Sequence, residues 1–153
     1  LEFGKQKQVM HNMRNKMDKV SKVQNPNRKK RIINYDTFIH LIDRLEIKIK
    51  KSNVEFNSVY GIPRGGVIVA GYLAHRLNLP LVEKDGLNGK SLVVDDINDS
   101  GKTLYEIQFM FANKFDTKPS LCVLFQREGS KVNADFIGEH IKEEWIVFPW
   151  EVE

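Results

Sequence analysis

The chain of 153 residues lacks several features, and each absence narrows what it can be. Cys122 is its only cysteine, so no intramolecular disulfide can form, and its first residues lack the basic-then-apolar pattern of a secretory signal. No apolar run approaches the roughly 20 residues that a membrane-spanning helix needs. Internal repeats and low-complexity segments are also missing. We therefore expect a globular protein of a reducing, cytoplasmic compartment that is not integral to a membrane.

What the chain does have is an uneven distribution of charge. Its formal net charge is +4, but residues 1–31 carry ten Lys and Arg against two acids, a net of +8. Residues 32–153 carry 14 basic against 18 acidic residues, a net of −4. The basic character therefore belongs to the N-terminal segment, and the remainder is mildly acidic.

Apolar residues of the basic segment recur at helical spacing, at Met10, Met13, Met17 and Val20, and Asn25-Pro26-Asn27 would end such a helix. We predict a basic helical arm and linker over residues 1–30, followed by a single domain over residues 31–153. Packing of the arm on its own domain or on a twin subunit is favoured over contact with RNA or a membrane, because ordinary surface helices show the same charge pattern.

The rest of the chain alternates helix-like and strand-like patterns. Helical spacing predicts helices over Tyr35–Lys50, Val67–Leu77 and Thr103–Phe115. Apolar runs predict strands at Ser58–Ile62, Leu79–Val82, Ser91–Val94 and Pro119–Phe125, with shorter pieces at Phe136-Ile137 and Trp145–Phe148. Strands separated by helices indicate an α/β fold built from parallel βαβ units, with helices on both faces of the sheet.

Ligands of such sheets bind outside the carboxyl ends of the strands, and two loops there are unusual. The first is Gly61–Gly66, in which Pro63 and Arg64 precede Gly65 and Gly66. Paired glycines let backbone N–H groups approach an anion at a helix start, and the arginine adds a positive fork. The alternative is an ordinary Pro-Gly turn with a surface arginine.

The second loop follows an apolar run, Leu92–Val94, and begins with the adjacent acids Asp95 and Asp96. Asp99 comes three residues later, and residues 100–103 supply hydroxyl and N–H groups at the start of the next helix, which suits a phosphate. Two alternatives remain open: Asp99 or Ser100 caps the helix, or the acids hold a metal without sugar chemistry. The glycine spacing of a Walker A loop is absent.

Together these loops resemble the type I phosphoribosyltransferases. Val93–Leu104 is similar to the family's signature for phosphoribosyl pyrophosphate (PRPP), and Tyr60–Gly66 to its pyrophosphate loop. The resemblance implies a parallel-sheet, Rossmann-like core with a small C-terminal hood, and a cis bond at Pro63-Arg64. It implies PRPP binding by Asp95, Asp96, Asn98, Asp99, Ser100, Gly101, Lys102 and Thr103, and pyrophosphate binding by Pro63, Arg64, Gly65 and Gly66. It further implies Mg²⁺ at Asp95 and Asp96, and Asp99 as the general base.

The C-terminal segment is similar to the hood of the family's 6-oxopurine branch, whose members act on hypoxanthine, guanine or xanthine. The resemblance assigns stacking on the purine to Trp145, recognition of the ring edge to the backbone of Ile146, and contact with the purine O6 to Arg127. The family usually has lysine there, and the rigid fork of arginine could change base selectivity. The alternative for Trp145 is an aromatic core residue of an edge strand.

The function implied by the resemblance is transfer of 5-phosphoribosyl from PRPP to a purine, which gives a nucleoside monophosphate and pyrophosphate, by a homo-oligomer. One departure stands against efficient catalysis: only Glu83–Lys90 lies where the family usually has a long mobile loop. The main alternative is a PRPP- or nucleotide-sensing regulator whose basic arm binds nucleic acid. A transferase for another base, such as a pyrimidine, is a weaker alternative.

Overall fold

The computed structural model describes residues 4–5, 8–9, 11–12 and 28–151. Within the predicted arm and linker, residues 4–5, 8–9 and 11–12 are helical, whereas residues 28–30 are not and Lys30 begins a strand. The prediction of an amphipathic arm depends on residues that lie outside the described ones: Met10, Met13, Met17, Val20 and residues 25–27. The boundary predicted between the arm and the domain therefore stays a prediction.

Residues 28–151 form three helices, one 3₁₀ turn and seven strands. The helices are α1 (Tyr35–Lys51), α2 (Gly65–Leu77) and α3 (Lys102–Phe115), and the 3₁₀ turn is Lys84–Gly86. The strands are β1 (Lys30–Ile32), β2 (Ser58–Gly61), β3 (Leu81–Val82), β4 (Ser91–Asn98), β5 (Ser120–Arg127), β6 (Phe136–Ile141) and β7 (Trp145–Val147). No described helix is long and apolar enough to cross a membrane.

Five strands make one parallel sheet in the order β3-β2-β4-β5-β6, so β4 lies at its centre. The remaining strands, β1 and β7, pair in parallel as a separate two-stranded sheet. This pairing brings the first residues of the domain against its last strand. The predicted α/β class with a parallel sheet is confirmed.

The central strand shows how the sheet buries both of its faces. Leu92 and Val94 pack with residues of α1 and α2, whereas the intervening Val93 packs with residues of α3. Alternate side chains of a strand point to opposite faces, so an unbroken apolar run is typical of a strand with helices on both sides. The expected layers are confirmed by these two hydrophobic clusters.

Three strands, β4, β5 and β6, are longer than the apolar pattern predicts, and β6 runs from Phe136 to Ile141. β4 continues from Val94 through the acids to Asn98, and β5 continues to Arg127. Asn98 and Gln126 are register partners, so the polar ends of the two strands support each other where the apolar signal has stopped. Asp95 and Asp96 therefore lie on a strand, which gives their side chains fixed directions, whereas Asp99 follows the end of that strand.

Candidate functional site

A cleft of about 790 Å³ lies at the carboxyl end of the sheet. The described residues that line it are Lys30, Arg64, Gly65, Ile68, Asp96, Trp145, Val147, Trp150 and Glu151. Arg64 and Gly65 come from the first predicted loop, Asp96 from the second, and Trp145 from the C-terminal hood. Residues that are far apart in the sequence are thus brought together in one cavity.

The first loop leads directly from β2 into α2. The peptide bond between Pro63 and Arg64 is cis, as the resemblance implied. A Cβ atom on Gly65 would collide with the carboxylate of Asp96, and one on Gly66 would lie 2.6 Å from the carbonyl oxygen of Val94. Both glycines are therefore needed because the first turn of α2 presses against β4. Of the four residues predicted here, Arg64 and Gly65 line the cleft, while Pro63 and Gly66 shape the turn.

The adjacent acids of β4 have different surroundings. Asp96 lines the cleft beside Gly65, whereas Asp95 does not line it, has Oδ1 near Gly66 and interacts electrostatically with Tyr60. Oδ1 of Asp95 accepts a hydrogen bond from the Asp96 backbone N–H at 2.9 Å. Burial, together with the neighbouring Asp96, raises the pKa of Asp95 to about 8. Burial and the charge of Asp95 also raise the pKa of Tyr60.

The second loop turns sharply into α3. Gly101 has φ 93°, in the left-handed region that favours glycine, and immediately precedes the helix. The backbone N–H of Lys102 donates to Oγ of Ser100 at 3.3 Å. The first N–H groups of a helix have no intrahelical acceptor, so the first turn of α3, beyond the Lys102 N–H that Ser100 accepts, can receive an anion. Asn98, by contrast, is 3% exposed and bonds to neighbouring protein groups.

Asp99 lies beside two arginines. The Nε of Arg127 donates to Oδ1 of Asp99 at 2.6 Å, and a guanidinium nitrogen of Arg28 lies 4.0 Å from Oδ2. Arg127 also donates to the carbonyl oxygens of Lys142 at 2.7 Å and Glu144 at 3.0 Å. The Arg127 side chain is buried and does not line the cleft, whereas the Asp99 side chain is half exposed. Arg127 therefore connects the second loop to the segment that leads into Trp145.

The hood presents one exposed aromatic ring and one open strand edge. Trp145 is 44% exposed, while the neighbouring Ile146 side chain is buried. Trp145 donates its backbone N–H to Lys29, and the carbonyl oxygen of Val147 accepts from Ile33. Backbone groups alternate in direction along a strand, so those of Ile146 point away from β1. Because β7 pairs only with β1 among the described strands, these groups lie on its open edge.

Several lining residues were not anticipated from the sequence: Lys30, Ile68, Val147, Trp150 and Glu151. Lys30 reaches the cleft because β1 pairs with β7, in register with Trp145. The ring of Trp150 stacks on Phe148 with centroids 4.7 Å apart. Trp150 belongs to the same C-terminal segment as Trp145, and the similarity of that segment to the family's hood is the sequence signal for this wall.

The acids of the site suit a magnesium ion that is shared with a substrate. The described residues contain no group of three or more His, Cys, Asp or Glu side chains that could hold a metal by themselves. Mg²⁺ in phosphate-transfer sites typically needs one or two carboxylates, with the remaining ligands from substrate oxygens and water. Asp96, which faces the cleft, meets that requirement with Asp95 beside it.

The connection between β3 and β4 is short and well packed. It contains the 3₁₀ turn Lys84–Gly86, the buried Leu87, and Asn88, whose backbone N–H donates to the Ser91 hydroxyl at 3.0 Å. Packing of Leu87 against the face that carries α3 ties the segment to the core. A long loop that could cover the cleft is therefore absent from this position.

No protein-family model matches the chain. Among solved structures, it resembles a purine phosphoribosyltransferase from Pyrococcus horikoshii with 26% identity and a TM-score of 0.70, covering 81% of this chain and 95% of that one. A Helicobacter pylori xanthine-guanine-hypoxanthine phosphoribosyltransferase matches with 27% identity, a TM-score of 0.67, and coverage of 80% and 94%. A hypothetical protein from Neisseria gonorrhoeae with bound ppGpp matches with 23% identity, a TM-score of 0.70, and coverage of 82% and 90%; this last likeness concerns the fold alone.

Proposed function

We propose that this chain, which has the type I phosphoribosyltransferase fold and resembles the 6-oxopurine branch of that family, transfers 5-phosphoribosyl from PRPP to a purine base. The acceptor would be guanine, xanthine or hypoxanthine, and the products a nucleoside monophosphate and pyrophosphate. The observation that carries the proposal is the single cleft that holds Arg64, Gly65, Asp96 and Trp145. One cavity thus offers a cation for pyrophosphate, an acid for ribose and metal, and a ring for a base.

The PRPP end of the site would use both loops. The 5′-phosphate would bind to the N–H groups and hydroxyls of residues 99–103 at the start of α3. Asp95 and Asp96 would hold the ribose hydroxyls. Asp96, with Asp95 beside it, would also hold Mg²⁺, which would neutralise charge on the leaving pyrophosphate. Arg64 and the backbone at Gly65 would bind that pyrophosphate and stabilise the negative charge that develops on it.

The base end would use the hood. The exposed ring of Trp145 provides a face on which a purine can stack, and the open backbone groups of Ile146 can hydrogen-bond the ring edge. For Arg127 the observed contacts support a different role from the one implied by the resemblance. Because its guanidinium is engaged with Asp99 and two hood carbonyls, we assign it to positioning Asp99 and the approach to Trp145.

Asp99 would act as the general base that accepts the proton near purine N7 as the glycosidic bond forms. Its carboxylate is half exposed, which gives it access to a substrate. The charge-assisted bond from Arg127 fixes its orientation, as expected for a base that must meet one particular proton. A ring nitrogen of the purine forms the new bond to the ribosyl C1 carbon. Pyrophosphate leaves with the electron pair of the broken C–O bond.

Incubation of the full chain with PRPP, Mg²⁺ and each nucleobase in turn, with pyrophosphate release as the measurement, tests the proposal. We expect turnover with at least one 6-oxopurine and none with a pyrimidine. Turnover with a pyrimidine alone would replace the proposed substrate class. Light scattering on the same sample would test the homo-oligomer that we also expect.

The short connection at Glu83–Lys90 favours one alternative function, because no long loop is available there to exclude water from the reacting atoms. The alternative is a sensor of PRPP or of a nucleotide, with a nucleic-acid-binding arm; ppGpp, a nucleotide, occupies the Neisseria protein of the same fold. Nucleotide binding without turnover on any base, together with salt-sensitive nucleic-acid binding that is lost on deletion of residues 1–27, would establish it.

A further inference from the structure

We propose that Asn98, Gln126 and Ser130 form a polar bracket that positions the loop at Asp99–Thr103 for the 5′-phosphate of the substrate. None of the three needs to touch the phosphate; each would act through the backbone of neighbouring loops. The inference rests on the proposed function only in taking residues 99–103 as a phosphate site. Asn98 thereby changes from a direct ligand of PRPP to a positioning residue.

The centre of the bracket is a pair of buried amides at the ends of β4 and β5. Asn98 and Gln126 are 3% and 2% exposed and are register partners. The Asn98 Nδ2 donates to Oε1 of Gln126 at 2.8 Å and to the carbonyl oxygen of Val132 at 2.6 Å. Gln126 Oε1 also accepts from the backbone N–H of Ala134 at 3.2 Å. The pair thus joins the two strand ends to the segment that follows β5.

A second set of contacts joins that segment to the phosphate loop. The Ser130 hydroxyl contacts Oδ1 of Asn98 at 3.2 Å and the carbonyl oxygen of Val132 at 3.0 Å. The backbone N–H of Lys131 donates to the carbonyl oxygen of Ser100 at 3.0 Å. A Cβ atom on Gly101 would lie 2.8 Å from the backbone nitrogen of Val132, so the two loops are in close contact at the turn into α3.

The bonds of the bracket specify one arrangement of the loops. A buried amide is stable only when its donors and acceptors are paired, so alternative positions of residues 130–132 would leave Asn98 or Gln126 unsatisfied. No buried side-chain nitrogen or oxygen of the described residues lacks a hydrogen-bond partner. Because Gly101 and Ser100 rest on residues 130–132, the bracket also fixes the N–H groups that would hold the phosphate.

The inference is tested by calorimetric titration of two variants, Asn98→Leu and Gln126→Met, with PRPP and Mg²⁺. Both substitutions keep the side-chain size but remove the amide. We expect the Kd for PRPP to rise about tenfold in each. We also expect the preference for a nucleoside monophosphate over the matching nucleoside to fall by a similar factor, with affinity for the nucleoside unchanged. In turnover assays the KM for PRPP should rise much more than kcat falls.

Ser91→Ala is the matched control. It removes half of another buried polar pair, the Ser58 and Ser91 hydroxyls 2.7 Å apart, at the opposite end of the same strand. It should lower the melting temperature without changing the Kd for PRPP. A merely structural role of the bracket would make Gln126→Met behave in the same way.

Each outcome decides the inference. If Gln126→Met folds cooperatively and binds PRPP as the wild type does, the bracket has no positioning role, while the transferase proposal stands. If the wild type binds PRPP but transfers phosphoribosyl to no nucleobase, the transferase proposal fails. The positioning role of the bracket is then decided by the Kd values for PRPP alone. If the wild type binds no PRPP, both fail. Should both amide variants fail to fold, Ser130→Ala, which removes one partly exposed hydroxyl, must weaken PRPP binding about threefold, and an unchanged Kd overturns the inference.

Discussion

Arg127 holds Asp99 through a hydrogen bond of 2.6 Å between Nε and Oδ1, and it uses its other nitrogens on the carbonyl oxygens of Lys142 and Glu144. A lysine could not make these three contacts in fixed directions, because its ammonium is a single point at the end of a flexible stem. The arginine therefore links the proposed general base to the segment that precedes Trp145. Two halves of the proposed site depend on one buried side chain.

The Arg127→Lys variant is expected to keep the fold and to lose efficiency. A single ammonium can pair with Asp99 or with the hood carbonyls but not with all of them, so kcat/KM for the base should fall about tenfold. Steady-state kinetics at saturating PRPP would measure this. Full activity with a shifted preference among 6-oxopurines would show instead that residue 127 contacts the base.

The Asp99→Asn variant separates charge from shape at the proposed base. The amide oxygen can still accept from Arg127, so we expect a normal melting temperature, but the group can no longer take a proton. A general base typically contributes ~10²–10⁴-fold to a rate, and kcat should fall within that range. Near-normal turnover would remove Asp99 from the mechanism, and a large loss of stability would make the variant uninformative about catalysis, which circular dichroism would reveal.

The Gly65→Ala variant tests the close approach of α2 to β4. The added Cβ would collide with the Asp96 carboxylate, so the helix start must move away from the acid. We expect at least a tenfold rise in the KM for PRPP, because the protein groups that would bind pyrophosphate and Mg²⁺ would be displaced from each other. Measurement of the KM at fixed Mg²⁺ would check this.

Gly71→Ala is the control for that experiment, because it lies in the same helix and nothing is within 4 Å of its added Cβ. Alanine in a helix interior is about 0.8–1.0 kcal/mol more favourable than glycine, so this variant should be more stable with an unchanged KM. Equal effects of the two substitutions would point to helix propensity, rather than the contact with Asp96, as the cause.

The sequence predicted the fold well where apolar periodicity is strong, and less well where polar residues continue a strand. The layers around β4 follow from its unbroken apolar run, but the extension to Asn98 depends on pairing with β5, which no local pattern reports. Arg64, Gly65, Asp96 and Trp145 were all selected from the sequence, and the structure brings them into one cleft. The surroundings of Arg127 could not be predicted, because they depend on hood carbonyls 15 and 17 residues away.

The Asp95→Asn variant should change how stability depends on pH. The Asp95 pKa is raised to about 8 in the folded protein, against 3.8 as the ordinary value, so between pH 4 and pH 8 the folded state holds a proton that the unfolded state has released. The stability of the wild type therefore falls as pH rises through this window, and the variant lacks this contribution. The difference should reach the order of 2 kcal/mol at pH 8 and level off above it, since partial solvation reduces the full effect.

Urea unfolding of both proteins at pH 5, 7 and 9, without Mg²⁺ or PRPP, measures this difference. Asparagine keeps an oxygen that can accept from the Asp96 N–H, so the backbone contact at 2.9 Å is retained and the comparison isolates the charge. Parallel stability curves across the three pH values would show that Asp95 ionises at an ordinary pKa.

The Trp145→Ala variant tests the stacking surface of the hood. Trp145 is 44% exposed and lines the cleft, so its removal should leave the core intact while removing a platform for the base. Stacking of a base on an aromatic ring contributes about 1–3 kcal/mol, which predicts at least a fivefold rise in the KM for the purine. The KM for PRPP should change little, and Trp145→Phe should recover most of the loss. If Trp145→Ala weakened PRPP and purine binding equally, the ring would support the cleft as a whole rather than the base.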